Sequence, residues 1–340
     1  MNKKVLSFLQ YFVFLGLGIF LVWWSLRKLT PDEWVAIKNA LLHARYWLII
    51  PVVLALLASH YSRAIRWKIL MEPLGYKPRI SNTFLAVLIG YMANLAFPRL
   101  GEVLKCTVLA RYEKVPADKL VGTIVAERVF DLICLVIIML ITFLSQTEII
   151  GDYLSTRIYD LFGSKTGGIS TTKVIFSLAG IVAFFLIIWF ILRKLAHISI
   201  IQKIKLLIKG VWHGLTSVRY IKNKGWFIFH TIFIWAMYLL SVRIGMFALI
   251  ETSGYGFKPA LSVLSIGSIA MILAPSGIGF YQIFVQETMV LYGLSAPIGL
   301  AFGLVMWSVQ FFQQLLSGFV ALLLFPSFNK KITDAQPRPY

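Results

Sequence analysis

The first residues able to do chemistry are arginines. In SHYSRAIRWKIL, Arg63 and Arg66 stand three apart and share a helix face. Such a guanidinium pair can grip a phosphate through fork-like hydrogen bonds. It can equally snorkel to a membrane interface beside Trp67. In VAERVFDLICLVIIML, Glu127 and Asp131 lie four apart, with Arg128 next to Glu127, at the head of a strongly apolar run. Charges so close to a span are costly unless paired, and they usually face the interior of a helix bundle. Three roles fit these residue types: an ion-pair lock to Arg63, Arg66 or Arg99, contact with a charged headgroup, and a proton or ion relay.

A second group of polar residues sits at breaks in apolar segments. NLAFPRLGEVLK places Pro98, Arg99, Gly101, Glu102 and Lys105 within eight residues. PSGIGFYQIFVQETMVLYGLS has Pro275, Gly277 and Gly279, then Gln282 and Gln286 four apart, with Glu287 beside them. A proline removes a backbone donor and kinks the chain, and nearby glycines permit a tight reversal. Such backbone survives at membrane depth only where protein or a wet cavity covers it; an interfacial turn between two short helices is the plainer reading. If the leg after Gly279 is helical, its free amides can hold an anion. Arg243 lies well inside the apolar stretch 226–250, a candidate for a functional site with Glu287 or a substrate phosphate as partner. Gln310, Gln313 and Gln314 form a polar stripe suited to interhelical hydrogen bonds or to substrate contact.

Other chemistry finds little support. The five histidines have no metal-ligand spacing, and GIG at 277–279 and FGSKTGG at 162–168 lack the context and spacing of nucleotide-binding loops. Cys106 and Cys134 read as small buried apolar residues, with no reason to expect a disulfide. No cofactor, metal or ATP-driven domain is expected.

The elements that must position these residues are membrane helices. With 59% hydrophobic and 14% charged residues, the chain has too few polar side chains to cover a soluble domain of 340 residues. The net charge of +19 then speaks of anionic lipid headgroups rather than nucleic acid. A span needs roughly 20 apolar residues, and the stretches 5–26, 47–67, 121–145, 172–192, 226–250 and 298–325 qualify. The first reads as a retained helix rather than a signal peptide, with Trp23 and Trp24 at its far interface. The expected fold is an all-α polytopic membrane protein of about six full transmembrane helices plus two re-entrant helical hairpins, 83–112 and 261–294. Residues 1–330 form one integral domain and 331–340 a short cytoplasmic tail.

Charge sets the orientation. The connection from Arg193 to Lys224 carries eight Lys/Arg and no acid, the mark of a cytoplasmic loop. The connections at 146–171 and 251–260 fit the outside; the first external loop, with Lys28, Lys38 and Arg45 against Asp32 and Glu33, mildly disagrees. Both termini are then cytoplasmic, and the hairpins dip in from opposite faces. Aligning Pro98 with Pro275 (275 − 98 = 177) also pairs Gly90 with Gly267, Ile89 with Ile266 and Ala93 with Ala270. Paired interrupted segments of opposite topology mark the substrate site in transporters built from inverted repeats.

Taken in order, SRAIRW, PRLGE, ERVFD and PSGIGFYQ…E resemble the flippase-like family, the membrane region of lysylphosphatidylglycerol synthetases, over about residues 5–326. The resemblance implies a lipid-translocating fold and carries over Arg63, Arg66, Pro98, Arg99, Gly101, Glu102, Glu127, Arg128, Asp131, Pro275, Gly277 and Gly279. It also implies a stand-alone member, because the sequence ends at Tyr340 after a short polar tail without the soluble aminoacyl-transferase domain. The expected function is non-ATP-driven movement of a phospholipid, or of another lipid with an anionic phosphate-bearing headgroup, across a bacterial inner membrane. Partners would be phospholipids or polyprenyl and glycolipids, with homo-oligomers possible and no nucleic acid. The alternatives are a membrane enzyme using Glu127 and Asp131 on a lipid phosphate or lipid-linked sugar, and a non-transporting partner of a lipid-synthesis complex.

Overall fold

A computed structural model describes residues 16–97, 99–146 and 221–333. The stretch 172–192, the connections 146–171 (beyond Gln146) and 193–220, Pro98 and the end of the tail lie outside the described residues. Within them the secondary structure is helical: α1 (Gly16–Arg27), α2 (Pro31–Leu42), α3 (Ile49–Met71), α4 (Ile80–Ala96), α5 (Leu100–Glu113), α6 (Ala117–Ser145), α7 (Lys224–Met246), α8 (Phe257–Leu273), α9 (Phe280–Val290) and α10 (Ala296–Thr333). Their apolar surfaces face outward, as in Leu140, Leu144, Ile232 and Leu323, because the surrounding solvent is lipid. Three helical stretches are long and apolar enough to cross a membrane by length and composition: Tyr46–Leu74, Lys224–Met246 and Ala296–Asn329.

Helices α3 and α7 pack side by side and antiparallel. Phe227 near the start of α7 joins a core cluster with Ile69 and Leu70 near the end of α3. At the other end the Arg45 amide donates to the Ala248 carbonyl at 2.7 Å. If one face of the molecule is where α3 ends and α7 begins, α4 starts from that face and α8 from the opposite one.

Both α4 and α8 stop short. Each has 17 residues, roughly 26 Å of helix against a hydrocarbon core of about 30 Å. Each then turns back, into α5 and α9. The two tips meet inside the bundle: the Ser276 hydroxyl donates to the Leu95 carbonyl at 3.0 Å, and the Trp307 indole donates to the Ser276 carbonyl at 2.8 Å. The hairpins expected from the paired Pro/Gly breaks are therefore present, entering from opposite faces.

Their likeness extends to the backbone. The bounds of α4 and α8 differ by 177 residues at both ends, and α5 and α9 end 177 apart. Phe97 and Ala274 cap α4 and α8 in extended conformation, and the next-but-one residues, Arg99 and Ser276, both have positive φ, 67° and 55°. Such a φ is uncommon for residues with a Cβ, so its recurrence at the aligned place marks one turn used twice. The long helices obey the same symmetry. From the first face α6 runs beside α5 and then α8, where Thr142 meets Ser265 at 3.0 Å. From the opposite face α10 runs beside α9 and then α4, where the side chains of Asn329 and Asn82 exchange bonds at 2.9 Å.

Helix α2 falls where a loop was expected. Thr30 and Glu33 close a capping box around Pro31, the Glu33 amide bonding to Thr30 and the Glu33 carboxylate accepting from the Thr30 amide at 2.8 Å. That arrangement satisfies otherwise orphaned donors and starts the helix. Ile37 and Ala40 are its buried residues.

Hairpin packing needs glycine at one crossing. A Cβ built on Gly101 would lie 1.8 Å from the Gly90 carbonyl oxygen, whereas one on Gly122 of α6 meets nothing within 4 Å. Gly101→Ala should lower the thermal unfolding midpoint in detergent, by about 1–3 kcal/mol of stability, while Gly122→Ala leaves it unchanged or raises it.

Candidate functional site

The charged residues singled out at 63, 66, 127 and 131 converge in a single buried network. Arg63 and Arg66 project from α3, 4% and 0% exposed, towards Glu127 and Asp131 on α6. Arg63 Nη1 donates to Glu127 Oε1 at 2.7 Å and to Asp131 Oδ2 at 2.5 Å. Arg66 Nη2 donates to Asp131 Oδ1 at 2.6 Å and lies 3.8 Å from Glu127 Oε1. One turn of helix separates the two members on each strand of the pairing, which is why i,i+3 arginines meet i,i+4 carboxylates.

Lys105 completes the network, and its role was not legible in the sequence. Its Nζ donates to Glu127 Oε2 at 2.9 Å and lies 4.7 Å from the centroid of the Trp67 ring. The side chain is buried because the Gly90–Gly101 crossing brings α5 against α4, with the Lys105 Cβ within 3.2 Å of a Cβ built on Gly90. Trp67 is itself fixed by donating its indole N–H to Thr123 at 2.8 Å. Aromatic residues extend the network towards the middle of the bundle. Tyr238 accepts from Arg63 Nη2 at 3.3 Å, Tyr91 lies 3.4 Å from the Tyr238 hydroxyl, and the His60 ring sits 4.2 Å from that of Tyr91. His60 Nε2 in turn reaches Gln313 Oε1 at 3.3 Å.

The rim is wetter. Arg128 is 44% exposed and pairs with Glu102 at 3.3 Å. With Arg63, Tyr91, Asn94 and Lys105 they line a small pocket of about 10 Å³ against the first hairpin, room for about one water. Arg99 is exposed at the hairpin turn and does not join the core network.

The second hairpin carries the other candidates. Gln282 is buried, and Gln310 donates to the Tyr281 hydroxyl at 3.3 Å. Gly277 and Gly279 both have positive φ, 68° and 78°. Gly279 caps α9 as expected, but that end meets the backbone of Gly18 in α1. Arg243 and Glu287 do not pair among the described residues. Glu287 is exposed and accepts from Gln286 at 3.2 Å, while the Arg243 guanidinium stacks 3.9 Å from the Phe247 ring centroid. The helices place them in different surroundings, and no sequence spacing reports that. Gln313 donates to Ser317 at 3.2 Å, and Gln314 is half-buried. Both cysteines are free thiols, and no three metal-ligating side chains cluster among the described residues.

Two features decide what the network can do chemically. Among the described residues four cations, Arg63, Arg66, Lys105 and the rim Arg128, face three carboxylates, Glu127, Asp131 and Glu102, an excess of one positive charge. In and beside the network the buried polar atoms without a partner among the described residues are Arg63 Nε, Arg66 Nε and His60 Nδ1; elsewhere Trp235 Nε1, Arg243 Nη1 and the acceptor Gln282 Oε1 are also unpartnered. The guanidinium nitrogens are donors only, so around Arg63 and Arg66 the site asks for oxygen acceptors and negative charge.

Paired broken helices around a charged core define a polytopic, all-α membrane protein of the re-entrant hairpin class. The chain belongs to the lysylphosphatidylglycerol synthase TM region family, whose description matches residues 9–318. It is 24% identical over 304 residues to the UPF0104 membrane protein MJ1595 of Methanocaldococcus jannaschii, covering 82% of this chain and 84% of that one. No solved structure matches.

Breaking a buried pair leaves a charge without compensation, at a cost of about 3–5 kcal/mol. Glu127→Gln should therefore destabilise the protein by about that amount in a detergent unfolding titration. Adding Lys105→Met to it should recover part of the loss, since one stranded cation is then removed.

Proposed function

We propose that the protein moves a lipid with an anionic, phosphate-bearing headgroup across the cytoplasmic membrane without ATP. The observation that carries this reading is the buried network, with an excess positive charge and unpartnered guanidinium N–H donors among the described residues, beside the half-exposed Arg128 and the tip of a broken helix. A phosphate supplies both the charge and the acceptors. Family membership supports a role in lipid metabolism or translocation. The carboxylates have a use in transport: they hold the arginines in place and compete with the phosphate, so that binding is loose enough for release. The acyl chains would stay in lipid while the headgroup travels between the hairpins.

The face on which α3 ends and α7 begins is the cytoplasmic one in this reading. Lys77, Arg79, Lys114, Lys222 and Lys224 gather there, as the positive-inside rule requires. The charged pocket then lies within the membrane beside the tip of the hairpin that enters from the cytoplasm, and both termini lie on that side.

The test is reconstitution into vesicles with fluorescent phosphatidylglycerol and quenching of the outer leaflet. Vesicles holding the wild type should expose inner-leaflet label; label that stays as protected as in empty vesicles overturns the proposal. Arg128→Gln, at the half-exposed rim, should slow transport about tenfold, ~1.4 kcal/mol, with the unfolding midpoint preserved. Chemically altered lipid recovered from the vesicles would favour the membrane-enzyme reading instead.

A further inference from the structure

The two repeats can be compared residue by residue at the site. Helices α3 and α7 are offset by 175 residues at both ends, which places Tyr238 opposite Arg63 and Ser241 opposite Arg66, while the 177-residue offset of the hairpins places Gln282 opposite Lys105. The loop between α9 and α10, 291–295, is two residues longer than that between α5 and α6, 114–116. In the last helix the offset is therefore 179. Glu127 then corresponds to Met306, and Asp131 to Gln310. Of the five charged positions the second repeat keeps none, and its arginine on the long helix, Arg243, stands opposite Lys68.

Met306 seats against Gly245, two residues beyond Arg243, with its sulfur 2.2 Å from a Cβ built there. Arg243 lies in the last turn of α7, as Lys68 lies in the last turn of α3, and the two helix ends are on opposite faces. Arg66 is neutralised by Asp131. Arg243 makes no ion pair among the described residues; its guanidinium lies between Phe247, at 3.9 Å, and Phe257, at 5.8 Å, and its Nη1 is buried without a partner. The helix C-terminus favours a cation and the rings favour a planar one. Neither supplies the missing acceptor.

We propose that Arg243 is a second phosphate site, on the opposite half of the membrane from the Arg63–Arg66 network, where the headgroup phosphate of a lipid supplies the anion that the carboxylates supply to the arginines of the first repeat. This rests on the lipid-transport reading for its purpose but not for its binding chemistry. Among the described residues no carboxylate pairs with Arg243, so this station binds the anion differently from the crowded network of the first repeat.

The test measures binding apart from transport. Full-length protein in a maltoside detergent, free of phosphate, is titrated with phosphatidylglycerol, and bound lipids are counted by native mass spectrometry. Arg243→Gln should weaken one binding event about tenfold and leave a second unchanged. Arg243→Lys, which keeps the charge but not the fork, should weaken the same event less. Unaltered lipid binding by a folded Arg243→Gln protein overturns the site, and so does equal occupancy by inorganic phosphate at matched concentration, since the anion would then be free phosphate rather than lipid. If Arg243→Gln fails to fold, the Arg243→Lys protein decides: affinity identical to wild type for every lipid bound overturns the proposal. Loss of the binding event in a protein whose wild type moves no lipid in vesicles would leave the Arg243 site standing and remove the transport reading alone.

Discussion

Glu127 is the residue on which the rest of the arrangement depends. One carboxylate, fully buried, holds Arg63 of α3 through one oxygen and Lys105 of α5 through the other. It thereby ties a long helix and a re-entrant leg to α6. In a low-dielectric interior such a charge is tolerable only with opposite charges in contact. The helices are consequently held at a separation fixed by hydrogen-bond lengths, and not only by apolar packing, which lipid tails can match. The same constraint explains the crowding of glycines at Gly90 and Gly101: α5 must come close enough for a lysine side chain to reach the carboxylate.

The two halves spend polarity differently. In the first, the core is ionic and satisfied except for guanidinium and other N–H donors. In the second, the corresponding positions are Tyr238, Ser241, Gln282, Met306 and Gln310, and the interior packs around Val263, Tyr281, Val285 and Phe302. The backbone repeat is close while the chemistry is not. The fold thus repeats its shape but not its charges, with an ionic core in one half and an apolar, amide-bearing core in the other.

Much of this was legible in the sequence because membrane helices advertise themselves. The paired Pro and Gly breaks gave the hairpins and their opposed entry. Arg63, Arg66, Glu127 and Asp131 read correctly as helix-face pairs close enough to meet. Lys105 did not, since its burial depends on a glycine crossing and its partner lies on another helix. Tyr91, Tyr238 and His60 looked like ordinary members of apolar runs; only the packing of α3, α4 and α7 brings them to Arg63. Helix α2 was readable from Thr30, Pro31 and Glu33, yet a charged stretch between spans reads first as loop. The link between Arg243 and Glu287 failed because a contact between separate helices has no spacing to betray it.

The meeting of the hairpin tips has an electrical consequence. At Ser276 and Leu95 the turn of one hairpin touches the tip of the other through a hydrogen bond. Where water reaches the charged pocket on one side, the membrane potential falls across the remaining dry thickness, not across the full bilayer. Moving one elementary charge through the whole of that potential is worth about 2.3 kcal/mol per 100 mV. An anionic headgroup passing the seam would feel most of this within a few ångströms, and an inside-negative cell would push it outward. A zwitterionic headgroup would feel almost none of it. Voltage alone would then give a direction to a pathway that carries no engine.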